Sequence, residues 1–385
     1  MEFQGSDRSR MLLPLLPTAV PACLGLLLVA PGAGAQEMQA IPLEDTAETS
    51  ANASLGDLDG DGDLDIVLAK GRHWPLKDWV LLNDGAGGFE ERHELPGSAD
   101  NTYTAALADL DRDGDLDLVV GNDRPDDKRI YLNDGTGSFA LAGTFGDGSW
   151  PTRNVTVADL NGDGRPEIIV ANRGGPENRS ANYVCVNDGA GAFPDCRVLS
   201  RNSATTIGAA DLSGDGLTDL FVPHRDGGQS YLYVNDGSGG FSEAQAVGPE
   251  QSATRAVAFG DLNGDGTLDI VLGDQLAGGV WLHLGRDGTS FETRRQIGEP
   301  ADNAYSLAVA DLDRDGDPDV AIGNRGAPGA ILTNDGSATF ARTPFGDAEG
   351  AMYGLAIGDV NGDGVPDIVA GRSDAPNTLY LGRAR

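Results

Sequence analysis

The sequence predicts an all-β fold, a seven-bladed β-propeller with four antiparallel strands in each blade. A nine-residue acidic loop occurs seven times in the 385 residues, first at Asp57 and last at Asp359. The copies lie about 50 residues apart, which is the length of one four-stranded propeller blade. Between the loops, short apolar and β-branched runs alternate with turn sequences, and no helical periodicity competes with them.

Each repeat contains the same strand signals in the same order. A strand of small and apolar residues leads into the loop, as in 103–110, and a nearly continuous apolar run follows it, as in Leu118-Val119-Val120. Runs that are apolar on both faces are typical of strands buried between neighbouring layers. A third strand then ends in Asn-Asp-Gly, a strong hairpin signal that predicts the fourth strand.

The two ends of the chain predict how the ring closes. The seventh repeat stops after its third strand, Thr378-Leu379-Tyr380-Leu381, and lacks a fourth. The segment 38–43 has the spacing of a fourth strand before the first loop. We therefore expect this N-terminal strand to complete the last blade, which removes the open sheet edges.

The repeated loop has the ligand pattern of a calcium site. Its sequence is Asp-x-Asp/Asn/Ser-x-Asp-Gly-x-x-Asp/Glu, so side-chain oxygens occupy positions 1, 3, 5 and 9. Calcium takes six to eight oxygen ligands in flexible geometry, and position 7 can add its backbone carbonyl. An EF-hand is excluded, because position 12 is apolar here and that motif requires a bidentate Glu.

These positions predict seven sets of metal ligands and up to seven Ca²⁺ ions. The sets are Asp57, Asp59, Asp61, Asp63 and Asp65; Asp109, Asp111, Asp113, Asp115 and Asp117; Asp159, Asn161, Asp163, Arg165 and Glu167; Asp211, Ser213, Asp215, Leu217 and Asp219; Asp261, Asn263, Asp265, Thr267 and Asp269; Asp311, Asp313, Asp315, Asp317 and Asp319; and Asp359, Asn361, Asp363, Val365 and Asp367. Turns that bind nothing are the alternative, since Asp and Gly form turns readily. Repulsion among the clustered carboxylates favours a bound cation.

The composition narrows the classes of partner. The net charge of −33 argues against nucleic acid, because a phosphate backbone needs a basic protein face. The acidic loops account locally for a large share of the 60 acidic residues. A chain of this length with 39% hydrophobic residues can bury one large core, and we expect a monomer.

The first 35 residues have the pattern of an export signal. Arg8 and Arg10 precede an apolar stretch, and Ala33-Gly34-Ala35 offers a small-residue cleavage site. Prolines interrupt the stretch, and its longest unbroken apolar run is too short to span a membrane. We therefore expect a signal peptide at 1–35, a propeller domain at 36–385, and a secreted or periplasmic protein.

Two cysteines remain once that segment is removed. Cys185 and Cys196 flank the turn Asn187-Asp188-Gly189, so they are expected to face each other across a hairpin. In an oxidising compartment a disulfide is the natural outcome, and two free buried thiols are the alternative. Cys23, inside the export segment, leaves open a lipoprotein anchor, although the apolar run continues past it.

The repeated sequence resembles the FG-GAP/VCBS repeat family, whose relatives include the integrin α-subunit propellers. The resemblance rests on Gly-Asp-Leu-Asn-Gly-Asp-Gly, the apolar run after it and Asn-Asp-Gly-x-Gly-x-Phe, and it covers about 38–385. It implies calcium in the loop joining the first two strands of each blade, and binding or adhesion more often than catalysis. The family letters themselves appear only partly, as in Phe345-Gly346, so the similarity is to the bacterial type of repeat.

Two repeated positions predict a ligand site on the face opposite the loops. One lies six residues before each loop, and the other follows each second strand. The candidate ligand-binding residues are Tyr103, Arg153, Arg255, Tyr305 and Tyr353 from the first position, Arg124, Arg173, Arg225 and Arg325 from the second, and Trp150 as a stacking residue at the rim. Guanidinium groups among tyrosines on an acidic protein suit an anionic ligand such as a uronate or sulfated glycan. Because the second position is Arg in six repeats, a structural ion pair with the next blade is the alternative.

These observations favour a non-catalytic module that binds a glycan or a protein. The sequence contains no nucleophile elbow, no metallohydrolase His pair and no phosphate-binding loop. A polysaccharide lyase or another extracellular carbohydrate-active enzyme is the first alternative, because His73 and His224 adjoin the arginine positions. A purely structural assembly module is the second.

Overall fold

The computed structural model describes residues 38–174, 180–242, 244–286 and 289–383. The predicted signal peptide at 1–35 lies outside these residues. The described residues form 30 β-strands and no helix. The prediction of an all-β fold is therefore confirmed. No helix in the described part of the chain is long and apolar enough to cross a membrane.

The strands follow the sequence repeats. After β1 (Gln39–Pro42), the first repeat forms β2 (Glu48–Gly56), β3 (Asp65–Lys70), β4 (Trp79–Leu82) and β5 (Glu91–Glu94). The second forms β6 (Thr102–Ala108), β7 (Asp117–Asn122), β8 (Lys128–Asn133) and β9 (Phe139–Phe145). The third forms β10 (Thr152–Ala158), β11 (Glu167–Asn172), β12 (Asn182–Val186) and β13 (Asp195–Ser200). The fourth forms β14 (Gly208–Ala210), β15 (Asp219–Val222), β16 (Gly228–Tyr233) and β17 (Gln245–Ser252).

The later repeats continue the pattern with one variation. The fifth forms β18 (Thr254–Gly260), β19 (Asp269–Asp274), β20 (Val280–His283), β21 (Gly285–Arg286), β22 (Ser290–Phe291) and β23 (Arg295–Gln296). The sixth forms β24 (Ala304–Ala310), β25 (Asp319–Asn324), β26 (Gly329–Asn334) and β27 (Phe340–Phe345), and the seventh forms β28 (Ala351–Gly358), β29 (Asp367–Ala375) and β30 (Thr378–Leu381). In the fifth repeat β21 and β22 pair only with each other, and the short β23 becomes the fourth strand.

Each repeat forms an antiparallel sheet in which consecutive strands pair. The second to sixth repeats each give a separate four-stranded sheet. The first and seventh repeats share an eight-stranded sheet, because β29 is long enough for Ser373 and Ala375 to pair with the start of β2. The N-terminal β1 pairs with β30, with Gln39 opposite Leu381.

The first strands of the repeats lie side by side in sequence order. β2 contacts β6, β6 contacts β10, and the series continues through β14, β18, β24 and β28. The last of them, β28, contacts β2 again.

The apolar core lies between successive sheets. Every residue of β3, β7, β11, β19 and β25 is buried, as the two-sided apolar runs predict. Between the first two sheets, Val67 and Val80 pack in one cluster with Leu118 and Tyr131. Burying one such aliphatic side chain stabilises the fold by about 1.5–3 kcal/mol, so each interface contributes to stability.

In five of the seven repeats, an asparagine from the Asn-Asp-Gly turn bonds to the repeat before it. Asn133 Nδ2 donates to the carbonyl of Leu58 in the preceding repeat, at 2.8 Å. Asn83 makes the corresponding bond to Val360 of the seventh repeat, at 2.7 Å. The fifth and seventh repeats have Gly285 and Gly382 at this position and cannot make that bond.

Candidate functional site

The acidic loops adopt one common conformation. In the first loop, Asp57 accepts hydrogen bonds from the amides of Gly60 and Gly62, at 2.8 and 3.1 Å. The equivalent bond to the glycine after position 5 forms in all seven copies. The loop backbone therefore wraps around the carboxylate at position 1 in every copy.

The acid at position 9 lies deeper than the others and ties the loop to the sheet. Asp65 is 1% exposed, and its two oxygens accept the amides of Leu58 and Asn83, at 2.7 and 2.8 Å. Each carboxylate oxygen has a second lone pair, so these bonds leave room for a metal. Burial raises the pKa of Asp65 to about 6, against the two amide bonds and with help from the charges of Asp59 and Asp61.

The loop residues fit a hard cation. Carboxylate oxygens from three acids lie within 4.8 Å of one another in three described sets: Asp57, Asp59 and Asp61; Asp109, Asp111 and Asp117; and Asp311, Asp313 and Asp315. The donors are oxygens only, which is the donor set that calcium prefers. Since burial and mutual repulsion both oppose the ionised acids, a bound cation would stabilise the charged loop.

A cavity of about 440 Å³ opens at the other end of the same strands. Residues from the first strands of six repeats line it, together with Thr205 and Thr206 just before β14. In β6, for example, Tyr103 lies near the start of the strand, whereas the acidic loop follows its end. Strand direction therefore separates the cavity from the acidic loops by the length of the strand.

A β-bulge places the key cavity side chain in each of these six strands. The register of β6 with β7 shifts between Thr102 and Thr104, so Tyr103 is the extra residue. The same shift isolates Ala51, Arg153, Arg255, Tyr305 and Tyr353 in their strands. A bulge re-aims the side chain of its extra residue, which explains how one sequence position supplies the cavity lining.

Six arginines line the cavity, and none of the described lining residues is acidic. They are Arg72, Arg153, Arg173, Arg225, Arg255 and Arg325. A basic cavity in a chain of net charge −33 reverses the sign of the surrounding protein. Low-dielectric walls of one sign concentrate ligands of the opposite charge.

One side of the cavity is an alternating ladder of arginine and tyrosine. Arg255 lies over the rings of Tyr305 and Tyr353, with 3.7 and 4.8 Å from its Cζ to the ring centroids. Arg325 donates to Tyr305 Oη at 2.9 Å, and Arg72 donates to Tyr353 Oη. We call these five residues the Arg–Tyr ladder; within the described chain its arginines have no carboxylate partner in a hydrogen bond or salt bridge.

The ladder leaves donors available. The Nε of Arg72 is buried without a hydrogen-bond partner among the described residues, and so is the Nε of Arg225 beside the ladder. Burial opposes ionisation of Tyr305, but Arg255 and the hydrogen bond from Arg325 outweigh it and lower the Tyr305 pKa. Burial lowers the pKa of Arg255 to about 10, so it remains charged near neutral pH.

The other side of the cavity is electrically compensated. Arg153 pairs with Asp123, and Arg173 pairs with Asp226 of the next repeat at 2.7 Å. Arg173 therefore makes the structural ion pair with the next repeat that was the alternative to ligand binding. That alternative does not describe Arg225, whose Nη2 donates to the amide oxygen of Gln275 at 2.7 Å.

The structure brings together eight of the ten predicted ligand residues. Tyr103, Arg153, Arg173, Arg225, Arg255, Tyr305, Arg325 and Tyr353 all line the cavity. Arg124 is exposed and lies beside a separate shallow pocket with Gly148 and Ser149. Trp150 stacks on Tyr183, with ring centroids 3.9 Å apart, and packs against the core, so the expectation that it forms the rim of this cavity is wrong.

Two titratable cavity residues lie outside the predicted ligand set, Arg72 and His73. Arg72 occupies the recurring arginine position of the first repeat, so the repeat pattern alone could have included it. His73 Nδ1 lies 3.3 Å from Tyr103 Oη, and the place of His73 beside an arginine position is the sequence signal for this contact across repeats.

The predicted disulfide is present. Cys185 in β12 and Cys196 in β13 are directly opposite each other and are bonded. The disulfide cross-links the β12–β13 hairpin of the third repeat.

Several solved structures share this fold. A lectin of Agrocybe aegerita, described as recognising non-reducing terminal N-acetylglucosamine, is 20% identical over 77% of this chain and 80% of its own, with a TM-score of 0.55. BBS1N in complex with ARL6DN, in crystals soaked with lead, is 11% identical over 91% and 97%, with a TM-score of 0.60. At these identities the likeness concerns the fold alone. Comparison with curated protein sequences finds no relative of this chain.

The family comparison agrees with the repeats. A model described as FG-GAP-like repeat matches residues 57–120, 109–170, 160–222, 211–272, 263–322 and 313–370. Each match runs from one acidic loop to the apolar strand after the next, so together they cover most of the chain. The protein therefore belongs to the FG-GAP-like repeat family, as its loops and strand pattern indicate.

Proposed function

We propose that this protein is a secreted, calcium-stabilised, seven-bladed propeller that binds an acidic glycan in the cavity. The observation that carries the proposal is the lining: six arginines and no described acid, in a chain of net charge −33. Arg153 and Arg173 pair with Asp123 and Asp226, so the uncompensated charge lies on the other four arginines, which have no carboxylate partner among the described residues. Like charges that are gathered without a counter-charge repel one another, and a bound anion would supply the counter-charge.

The closed ring is supported by contacts between the first and last repeats. β1 pairs with β30, β28 contacts β2, and Asn83 bonds to Val360 across the same junction. Seven repeats arranged in this cycle would leave only short, protected sheet edges, which is the advantage of a propeller.

Calcium in the acidic loops is supported by their geometry and donors. Side-chain oxygens at positions 1, 3, 5 and 9 and the carbonyl at position 7 would hold the ion. The bound ion would neutralise clustered carboxylates and lock the turn between the first two strands of each blade. Loops of this kind serve stability at their end of the strands and leave the other end for recognition.

A glycan ligand is supported by the chemistry and size of the cavity. Its volume falls in the usual range for small-molecule sites, and it combines aromatic faces with charged donors. Arginines can hold a carboxylate or sulfate with paired hydrogen bonds. The structural similarity to a lectin is in keeping with this class of ligand, though it concerns the fold alone.

An extracellular or periplasmic location is supported by two features. The Cys185–Cys196 disulfide is of a kind that persists in oxidising compartments. The first 35 residues carry the export pattern.

A glycan-binding screen tests the proposed function. The calcium-loaded protein should bind immobilised uronate-containing or sulfated glycans and should bind their neutral or desulfated counterparts much more weakly. Binding should weaken as salt is raised, because the cavity charge is partly screened. Equal binding to charged and neutral members of each pair would contradict the proposal.

A further inference from the structure

The cavity contains a pair of side chains that can move protons. Tyr103 Oη lies 3.3 Å from His73 Nδ1 and 3.5 Å from its Nε2, and the two rings meet edge to face with centroids 5.9 Å apart. Both residues line the cavity. An imidazole and a phenol within hydrogen-bonding reach are recurring partners in general acid–base catalysis.

The surroundings favour opposite roles for the two groups. Burial, followed by the charge of Arg72, lowers the pKa of His73, so the ring is neutral near pH 7 and can accept a proton. Burial raises the pKa of Tyr103, so its hydroxyl keeps the proton that an acid must supply. Divergent pKa values in neighbouring groups are a guide to which is the base and which the acid.

The lining also limits the reaction class. Hydrolysis by the usual glycosidase mechanism needs two carboxyl groups, and the described lining residues include none. The one lining serine, Ser306, donates its hydroxyl to the carbonyl of Met352 at 2.9 Å. The proton-transfer groups that remain are the His73–Tyr103 pair and the two ladder tyrosines, whose hydroxyl oxygens already accept hydrogen bonds from Arg325 and Arg72. Of these, only the His73–Tyr103 pair joins two proton-transfer groups of different kinds.

Guanidinium groups beside a base suit proton removal next to a carboxylate. Arg255 has no carboxylate partner among the described residues, and Arg72 contacts His73 through Nη1 at 3.1 Å from Nε2. A sugar carboxylate held by these groups would lose much of its negative charge. The neighbouring C–H bond would then be more acidic, and the charge that develops on the carboxylate would be stabilised.

We propose that the cavity cleaves uronate-containing polysaccharides by β-elimination, with His73 as the base and Tyr103 as the acid. This inference rests on the proposed binding function. His73 takes the proton from C5, next to the carboxylate, and the C–H electron pair forms the C4=C5 double bond. The C4–O bond breaks, its electron pair stays on the glycosidic oxygen, and that oxygen takes the Tyr103 proton. No oxidant or water is consumed.

The same contact regenerates the pair. After elimination His73 is protonated and Tyr103 is a phenolate, and the proton can pass directly between them. In the resting site Arg72 donates to His73 Nε2, because a guanidinium group has only donors. A bound carboxylate competes for Arg72, which frees the Nε2 lone pair when the substrate arrives.

The test measures binding and turnover separately, on the full chain loaded with calcium. The substrates are polygalacturonate, alginate and hyaluronan; binding is followed by calorimetry, and the unsaturated product by its ultraviolet absorbance. The variants are His73→Gln and Tyr103→Phe. The matched controls are His93→Gln and Tyr231→Phe, at residues that do not line the cavity.

We expect at least one of these polysaccharides to bind and to yield unsaturated ends. Either cavity variant should slow turnover by about 100-fold or more while changing affinity only about threefold, because a general acid or base acts mainly in the transition state. Both controls should match the unaltered protein. Binding without any unsaturated product would overturn elimination and leave the binding function standing. Binding to none of the three would remove the support for both, and full activity in Tyr103→Phe would overturn the role of the pair.

Discussion

The two ends of the repeated strands differ in what the repeats share. At one end, seven loops keep oxygen-bearing side chains at the same positions, the same glycine and the same hydrogen bond to the first acid. At the other end, the bulged position changes from Tyr to Arg to Ala between repeats, and the arginines cluster on one cavity. Sites that every blade needs stay alike, whereas a single ligand site requires the blades to differ. From this difference we infer a stabilising end and a recognising end.

The largest expected effect is on the loop end, from removal of calcium. Excess EGTA should lower the melting temperature substantially and leave the protein more open to proteolysis. Each site filled at 100 times its Kd would stabilise the fold by about 2.7 kcal/mol. Thermal melts with EGTA, with added Ca²⁺ and with added Mg²⁺ check this. A melting temperature that EGTA does not change would contradict the inference that the loop end stabilises the fold.

The second-largest loss of stability is expected from replacing the asparagine that links neighbouring sheets. Asn133→Ala removes the bond to the Leu58 carbonyl and a second bond to the Leu116 carbonyl, at 3.1 Å. Because both acceptors are left without their buried donor, we expect a loss of about 1–3 kcal/mol in the free energy of unfolding. Urea unfolding measures it.

The matched control is Asp134→Ala, in the same turn. Asp134 is exposed and accepts from the amide and hydroxyl of Thr136 at the surface, so the change should cost less. Equal losses in the two variants would show that the turn, and not the link between sheets, is responsible.

A buried acid near the cavity end should give a pH-dependent effect. Burial raises the pKa of Asp78 to about 7, against bonds from the Lys70 amide and the Thr102 hydroxyl. The folded state therefore holds a proton that the unfolded state releases above pH 4. Stability from this group is fully present below pH 4 and is lost as pH rises towards 7, by at most about 1.4 kcal/mol per pH unit.

Asp78→Asn should remove that dependence without disrupting the fold. Asn182 already occupies the equivalent place in the third repeat, where it accepts the Asn172 amide at 2.8 Å. The stability of the variant relative to the unaltered protein should therefore rise between pH 4 and pH 7 in saturating calcium. A difference that stays flat across this window would assign the titration elsewhere.

The smallest effect concerns a backbone position inside the loops. Position 4 has positive φ, and it is Gly in five repeats but Arg112 and Arg314 in two, with φ of 71° and 64°. Arg112→Gly should stabilise the protein by about 1 kcal/mol, because a residue with a Cβ is strained in this region. Chemical unfolding in saturating calcium measures it, and a loss of stability would mean that the Arg112 side chain makes a compensating contact.

Much of the fold could be predicted because each repeat restates the same local signals. Seven acidic loops, two-sided apolar runs and Asn-Asp-Gly turns specify strands and their order. The fifth repeat differs, because it lacks Asn-Asp-Gly and forms the extra β21–β22 hairpin before its fourth strand. In this repeat, which lacks the Asn-Asp-Gly signal, the sequence pattern does not predict where the fourth strand lies.

The cavity was only partly predictable because it depends on contacts between distant repeats. The position six residues before the loop falls on the bulged residue in six repeats, and in the fourth it is Thr205, just before β14. The spacing did not show that Arg124 faces away while Arg72 faces in, since that depends on how each loop after the second strand folds. The position of Trp150 was predicted wrongly because its ring stacks on Tyr183. Tyr183 lies 33 residues away in the chain, and no motif connects the two.

The most direct test of a recognising end is a calorimetric titration of a uronate oligosaccharide into three proteins, all in saturating calcium. They are the unaltered protein, Arg255→Gln in the Arg–Tyr ladder, and Arg124→Gln at the equivalent kind of position outside the cavity. Charge-assisted hydrogen bonds of about 1.5–3 kcal/mol predict roughly a 10- to 100-fold loss of affinity for Arg255→Gln. Arg124→Gln should bind as the unaltered protein does, and all three should melt at similar temperatures. Unchanged affinity in Arg255→Gln, or an equal loss in both variants, would contradict the account.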